Sequence, residues 1–178
     1  MTHKAAFVAI VGRPNTGKST LVNALVGEKI VITSHHPNTT RNAIRGIVTR
    51  PDFQLVVVDT PGVHKPKTLL GGALNSIVNE NMESVDAIVL CIPAVEAIGA
   101  GDLFIAKEMA RHRSAKKICA ITMIDMAKKA LMPEQLIAAS KLAQDAGFAW
   151  DEVVPLSAKT DDQVQLLMDL LAKYAPES

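Results

Sequence analysis

The chain lacks an excess of charge of either sign, since 19 Lys and Arg against 18 Asp and Glu give a net charge of +1 over 178 residues. This balance excludes broad electrostatic binding to nucleic acids or membranes. Cysteine is also scarce: Cys91 and Cys119 lie in apolar runs, where cysteine packs as a small hydrophobe, which fits a reducing compartment. No apolar run reaches membrane-spanning length, and the residues before the first predicted strand leave no room for a secretory signal.

Hydrophobic residues make up 48% of the chain, which is enough for one packed core. We expect a single domain over residues 1–174, with residues 175–178 as the start of a linker or C-terminal tail. Six apolar runs of strand length alternate with five segments of helical periodicity, and one hairpin around residues 50–52 interrupts this alternation. The pattern predicts an α/β fold with a mostly parallel six-stranded sheet, one antiparallel strand and helices on both faces.

Local signals also predict where several helices begin, end and pack. Asp102 is the expected N-cap of a helix that ends near His112. Another helix is expected over residues 133–146, with proline in its first turn and Gly147 at its end. A further helix is expected over residues 69–84, and the last helix should face the core with Val164, Leu167, Met168 and Leu171.

Residues 12–19 read Gly-Arg-Pro-Asn-Thr-Gly-Lys-Ser and match the phosphate-loop pattern Gly-x-x-x-x-Gly-Lys-Ser/Thr between a predicted strand and a predicted helix. Glycines allow the backbone to approach phosphate oxygens, and N–H groups converge near the positive end of the helix. Lys18 would reach the β- and γ-phosphates, and Ser19 would bind Mg²⁺. The predicted nucleotide contacts here are Gly12, Arg13, Pro14, Asn15, Thr16, Gly17, Lys18, Ser19 and Thr20.

A second candidate element follows the third predicted strand. Asp59, Thr60, Pro61 and Gly62 have the form Asp-x-x-Gly, in which the carboxylate holds Mg²⁺ and the glycine N–H meets the γ-phosphate. In the preceding loop, Thr39 and Thr40 offer hydroxyls that could complete the metal shell, and Thr40 is preferred. The predicted Mg²⁺ ligands are therefore Ser19, Thr40 and Asp59. Residues 31–41 and 63–70 would be switch segments ordered by a triphosphate.

Base identity should be decided after the fifth and sixth strands. Thr122, Met123 and Asp125 occupy the positions of the Asn-Lys-x-Asp signature of GTPases, and only the aspartate is retained. A carboxylate there accepts bonds from the ring N–H and the exocyclic amine of guanine, whereas adenine presents a lone pair. Ser157, Ala158 and Lys159 match the loop whose N–H binds the guanine carbonyl. Thr122 could make part of the asparagine's bonding and Met123 could cover the base, but we expect the polar tie to the phosphate loop to be lost.

Together with Pro37, Asn38, Thr39, Thr40 and Arg41, these motifs make the chain resemble the GTPase domain of the Era family of bacterial ribosome-assembly GTPases, within the TrmE-Era-EngA-like group. The resemblance covers essentially the whole chain. It implies a three-layer P-loop NTPase fold of the Ras-like type, binding and slow hydrolysis of GTP, Mg²⁺ as cofactor, and a role in assembly of the small ribosomal subunit. It also implies a cytoplasmic or peripheral inner-membrane location. A monomer is expected, and RNA binding is expected from a C-terminal KH domain that these residues do not contain.

The expected catalytic group is Lys18, Asn15, Thr40 and Gly62. Val63 follows Gly62, so the water-orienting glutamine of Ras-like enzymes is missing. By resemblance, Asn15 would hold K⁺ against the phosphates and so supply the charge that an arginine finger supplies elsewhere.

Two other functions stay open on the sequence alone. The altered pair Thr122 and Met123 could weaken guanine recognition so far that the fold serves only as a nucleotide-binding docking module. An ATP-using P-loop enzyme is disfavoured by Asp125 and by residues 157–159. His64 is a weak candidate base in an exposed loop, and Met126 is interpreted as a filler of the core or its rim.

Overall fold

The computed structural model describes residues 4–26, 44–49, 51, 53–58, 85–127, 131–160 and 163–175. Within these ranges lie six strands and four α-helices. The strands are β1 (Lys4–Val11), β2 (Ile44–Thr49), β3 (Phe53–Val58), β4 (Ala87–Pro93), β5 (Lys116–Thr122) and β6 (Glu152–Pro155). The helices are α1 (Lys18–Val26), α2 (Ala100–Ala110), α3 (Met132–Ala146) and α4 (Val164–Tyr174).

The strands form one sheet in the order β2-β3-β1-β4-β5-β6. Only the β2-β3 pair is antiparallel, as the hairpin prediction requires, and all other neighbours are parallel. The predicted fold class is therefore confirmed. β1 lies in the middle of the sheet, so the turn that follows it opens between the ends of β3 and β4, where ligands bind in such sheets.

Alternation along the buried strands separates two cores. In β4, Ala87, Val89 and Cys91 face one side, while the intervening Ile88, Leu90 and Ile92 face the other. The first core is covered by α1 and α4, and the second by α2 and α3. Successive side chains of a strand point to opposite faces, and both faces of this sheet are buried. Nearly every residue of such a strand is therefore apolar, which explains the continuous apolar runs in the sequence.

The two cysteines lie in opposite cores, so they do not face each other across the sheet. Burial raises the pKa of the Cys91 thiol to about 12 and raises that of Cys119 further. Both thiols are therefore inert packing groups at neutral pH, as the sequence predicts.

Two helix ends allow the sequence rules to be checked. Gly147 ends α3 in a left-handed conformation with φ of 97°, as predicted, and its N–H donates to the Ala143 and Gln144 carbonyls. The expected N-cap at Asp102 is wrong: α2 begins at Ala100 after Gly99, and Asp102 is its third residue. The helix ends at Ala110 with Arg111 as its C-cap, close to the predicted end near His112. The predicted helix over residues 69–84 lies outside the described residues.

The last helix shows how its packed face stabilises the fold. Val164, Leu167, Met168 and Leu171 are buried in the first core, as predicted, while Leu166 is 44% exposed. Leu167 is fully buried at a site enclosed by the sheet.

We expect Leu167→Ala to lower the free energy of unfolding by about 2–5 kcal/mol, because it removes buried methyl groups and leaves a cavity. The neighbouring Leu166→Ala is the matched control and should change it by less than about 0.5 kcal/mol. Urea denaturation of both variants gives the comparison. Equal losses would contradict the assignment of the inward face of α4.

Candidate functional site

The predicted phosphate loop is the turn between β1 and α1, and α1 begins at Lys18. Two of its glycines have positive φ angles, 155° at Gly12 and 88° at Gly17. A Cβ atom on Gly12 would lie 2.8 Å from the Thr16 hydroxyl oxygen and 3.0 Å from the Cys91 carbonyl oxygen. Glycine is therefore required at position 12 both for its backbone angle and for close packing against the end of β4.

The loop holds its shape through its own hydrogen bonds. Thr16 is buried, and its hydroxyl donates to the Arg13 carbonyl at 2.8 Å. Lys18 Nζ donates to the Gly12 carbonyl at 2.8 Å, so its ammonium group folds back over the loop. Asn15 is exposed and left-handed, with φ of 65°, a conformation that asparagine tolerates better than most residues. The loop leads directly into the N-terminus of α1, and helix N-termini are common anion sites because their first N–H groups have no partner within the helix.

The expectation that Thr122 loses the polar tie to this loop is wrong. The Thr122 hydroxyl donates to the Thr16 carbonyl at 2.8 Å, and Thr122 is only 3% exposed. The Thr122 side chain is short, but the phosphate loop lies close enough to the end of β5 for one hydrogen bond. The end of β5 and the phosphate loop are therefore joined without an asparagine.

Asp125 lies in the short 3-10 turn after β5, on the exposed rim of the site. Buried Ser157 donates from its hydroxyl to Asp125 Oδ1 at 2.7 Å and accepts the Thr160 N–H at 3.2 Å. The Ile124 N–H also donates to the Leu156 carbonyl, which joins the turns after β5 and β6. The two predicted base-reading segments are thus brought together, and the serine orients the carboxylate.

A cavity of about 200 Å³ opens where these segments meet the phosphate loop. Its lining comprises Gly17, Thr20, Thr122, Met123, Asp125, Met126, Ser157, Ala158 and Lys159. The phosphate loop and the two predicted base-reading loops, after β5 and after β6, therefore border one cavity. Met126 belongs to this wall and is 68% exposed, so its interpretation as a core or rim filler missed a lining role; its position next to Asp125 was the available signal.

Arg13 and Pro14 lie in the loop but do not line this cavity. Pro14 is exposed. The Arg13 side chain bonds the Asp102 carboxylate, with Nε 2.9 Å from Oδ1, and this hydrogen bond raises the pKa of the guanidinium above its ordinary value. Asp102 was considered only as a helix cap, because nothing local in the sequence indicates a partner 89 residues away.

The remaining predicted groups divide into two sets. Ser19 and Thr20 are exposed in the first turn of α1. Thr39, Thr40, Asp59, Thr60, Pro61, Gly62, Val63 and His64 lie outside the described residues, as do both predicted switch segments.

A glycine-dependent phosphate loop beside a cavity with a carboxylate at its rim defines a nucleotide-binding domain of the P-loop class. The sequence model of the 50S ribosome-binding GTPase family matches residues 7–127. The chain therefore belongs to this family of GTPases.

Within the family, the chain is similar to Era proteins, as its motifs predict. It is 53% identical over 175 residues to GTPase Era of Streptomyces coelicolor and 52% identical over 174 residues to GTPase Era of Mycobacterium tuberculosis. These matches cover 98% and 97% of this chain, but 55% and 57% of the relatives. The chain thus spans little more than half the length of the curated relatives it matches.

Solved structures of Era proteins are also similar to this chain. An Era protein in complex with MgGDPNP and nucleotides 1506–1542 of 16S ribosomal RNA is 32% identical, with a TM-score of 0.76 over 99% of this chain and 58% of the other. An Aquifex aeolicus Era variant bound to GDP and AlF4⁻ is 29% identical, with a TM-score of 0.75 over 98% of this chain and 58% of the other.

The bond between Thr122 and Thr16 can be tested by removing one hydroxyl. Thr122→Val leaves the buried Thr16 carbonyl without this donor, so we expect the free energy of unfolding to fall by about 1–3 kcal/mol. Thr122→Ser keeps a hydroxyl at the same place and should lose less. Denaturant titration measures both, and a valine variant as stable as the serine variant would contradict the tie.

Proposed function

We propose that this chain is a GTP-binding and GTP-hydrolysing molecular switch of the Era type. The observation that carries the proposal is the position of Asp125: its carboxylate is held by Ser157 at the rim of a cavity that also contains Gly17 of the phosphate loop. One nucleotide could therefore place its base at Asp125 and its phosphates on the phosphate loop.

Guanine is the base that this rim accepts best. A carboxylate is an acceptor only, and guanine offers it both a ring N–H and an exocyclic amine, whereas adenine offers a ring lone pair. The Ser157 hydroxyl donates to Oδ1 and so orients the Asp125 side chain at the rim of the cavity. The same reasoning disfavours an ATP-using enzyme.

Apolar side chains supply the walls for the purine plane. Met123 replaces the lysine of the GTPase signature, and its terminal methyl lies against the phosphate loop, 3.4 Å from where a Cβ on Gly17 would stand. Met126 lines the same cavity. A thioether next to an aromatic ring makes favourable contacts, so the lost lysine stem has an apolar substitute. No observation on the described residues favours the docking module as an alternative.

The phosphates would lie over the loop and the start of α1. Lys18 would contact the β- and γ-phosphates, since an ammonium has three donors and can keep its bond to Gly12 while making others. Ser19 is exposed at the start of α1, and its hydroxyl is of the type that Mg²⁺ accepts, with Thr40 and Asp59 as the proposed further ligands. Mg²⁺, when bound, neutralises charge that develops on the phosphate oxygens. Gly62 would donate its N–H to the γ-phosphate.

Asn15 is the proposed K⁺ ligand. Its exposed position at the tip of the loop and its left-handed backbone turn support a role for its side chain outside the packed core. Its amide oxygen is a ligand that hard cations accept. Without a water-orienting glutamine, unassisted hydrolysis should be slow, on the order of 10⁻⁴ to 10⁻³ s⁻¹.

The proposed partner is the small ribosomal subunit, because the similar Era structure holds 16S ribosomal RNA. As the resemblance to the Era family implies, RNA contact would belong to a C-terminal KH domain and not to the residues described in this structure. The proposed G domain spans residues 1–174, and the last helix ends at Tyr174. Ala175 is still buried in the first core, so the packing extends one residue past this boundary. We expect this domain to be a cytoplasmic monomer, with peripheral contact at the inner membrane as a second location. No helix among the described residues is both long and apolar enough to cross a bilayer.

Base recognition is tested by Asp125→Asn. An amide can accept from the ring N–H but places a donor where guanine has its amine, so we expect GDP affinity to fall by about 10²-fold or more. Xanthosine diphosphate carries a carbonyl at that position and should bind the variant better than it binds the original protein. Titrations with fluorescent GDP, ADP and xanthosine diphosphate measure this exchange, and gained xanthine binding also proves that the variant is folded. Adenine preference or no binding in the original protein would refute the proposed function.

The role of Asn15 is tested by hydrolysis in KCl and NaCl at equal ionic strength. If K⁺ supplies transition-state charge, the rate in KCl should be higher by about tenfold or more, and Asn15→Ala should abolish that difference. GDP affinity serves as the control for an intact loop. Identical rates in the two salts, or a difference that survives in Asn15→Ala, would remove Asn15 from the mechanism.

A further inference from the structure

The Asp102 carboxylate is fully buried at the start of α2, which is unusual for a charged group. It accepts two hydrogen bonds: Arg13 Nε donates to Oδ1 at 2.9 Å, and the Gly99 N–H donates to Oδ2 at 3.0 Å. A buried carboxylate is tolerated only when paired and hydrogen-bonded. Its partner is the side chain of the second residue of the phosphate loop.

The Arg13 side chain is held along its whole length. Its stem lies on Gly101, where an added Cβ would be 2.9 Å from Arg13 Cδ and 3.3 Å from Cγ. Its Nη2 forms a second ion pair with Glu96 at 3.2 Å. Gly101 therefore leaves just enough space for the arginine to reach Asp102.

These contacts continue through the loop. The carbonyl of Arg13 accepts the Thr16 hydroxyl, and the carbonyl of Thr16 accepts the Thr122 hydroxyl. The phosphate loop is thus fastened on one side to α2, through Arg13 and Asp102, and on the other side to β5.

We propose that Arg13 is a positioning residue whose ion pair with Asp102 clamps the phosphate loop to α2 and holds the loop in its nucleotide-binding shape. We call this pair the Arg13-Asp102 clamp. The fork of a guanidinium suits it, because Nε binds Asp102 while Nη2 reaches Glu96. The inference rests on the proposed binding of guanine nucleotide, but its structural part concerns the loop alone.

Two glycines near the start of α2 provide a matched test. Gly101→Ala places a methyl group against the Arg13 stem and must displace it, whereas Gly99→Ala adds a methyl group into open space. Neither variant changes charge. Inside the helix, at position 101, alanine is favoured over glycine, whereas at the N-cap position 99 alanine is the poorer residue. A defect confined to Gly101→Ala therefore reports the displaced arginine and not a weakened helix.

We expect Gly101→Ala to raise the Kd for GDP about tenfold, since the apparent Kd rises in inverse proportion to the fraction of loops in the binding shape. Amide hydrogen exchange in the peptide covering residues 12–17, measured without nucleotide, should accelerate by a similar factor. Gly99→Ala should match the original protein in both measurements. Arg13→Ala should raise the Kd less in the Gly101→Ala background than alone, because both changes disrupt one contact.

Equal exchange and equal Kd in the two glycine variants would overturn the clamp. So would additive effects of Gly101→Ala and Arg13→Ala. If the original protein does not bind GDP, the proposed function fails, and hydrogen exchange of the loop alone decides on the clamp.

Discussion

The hydrogen bond from the Thr122 hydroxyl to the Thr16 carbonyl is the contact on which the candidate site depends. It joins the loop that would hold phosphates to the strand end that carries the base-reading turn. Both groups are buried, so water does not compete with this bond and its loss would leave a carbonyl unsatisfied. Gly17 of the phosphate loop and Met123 after β5 line the same cavity, next to this bond.

The sheet makes that contact possible. β1 is the third strand of six, and the fully buried β4 separates it from β5. Parallel strands bring their carboxyl ends to one edge, so turns far apart in sequence become neighbours there. The backbone N–H and carbonyl groups of these turns must then find hydrogen-bond partners in the neighbouring turns. The Ala94 N–H donates to the Thr122 carbonyl, and the Leu156 N–H donates to the Ile121 carbonyl, which continues the parallel pairing to the rim of the site.

The sequence predicted those parts that local chemistry determines. Apolar periodicity placed all six strands, glycine marked the end of α3 at Gly147, and the phosphate-loop pattern lies at the turn after β1. The rules failed where the deciding partner is distant. Asp102 resembles an N-cap because a short acidic side chain commonly is one, but it caps the helix start from the third helical position, where it accepts the Gly99 N–H and also binds the distant Arg13. The tie from Thr122 was not expected because the signature asparagine is replaced, and no local pattern indicates how closely another loop approaches.

Two side chains outside the phosphate loop, Asp102 of α2 and Thr122 of β5, bind it and explain why its shape does not depend on glycine alone. Glycines permit the positive φ angles but also enlarge the set of conformations that the loop could adopt. Arg13 and Thr16 restrict that set by binding groups on α2 and β5. Restricting the loop before nucleotide arrives lowers the ordering entropy paid on binding, so permissive backbone and fixed side chains act together. A loop with the same glycines but without these two anchors would bind phosphate less tightly for that reason.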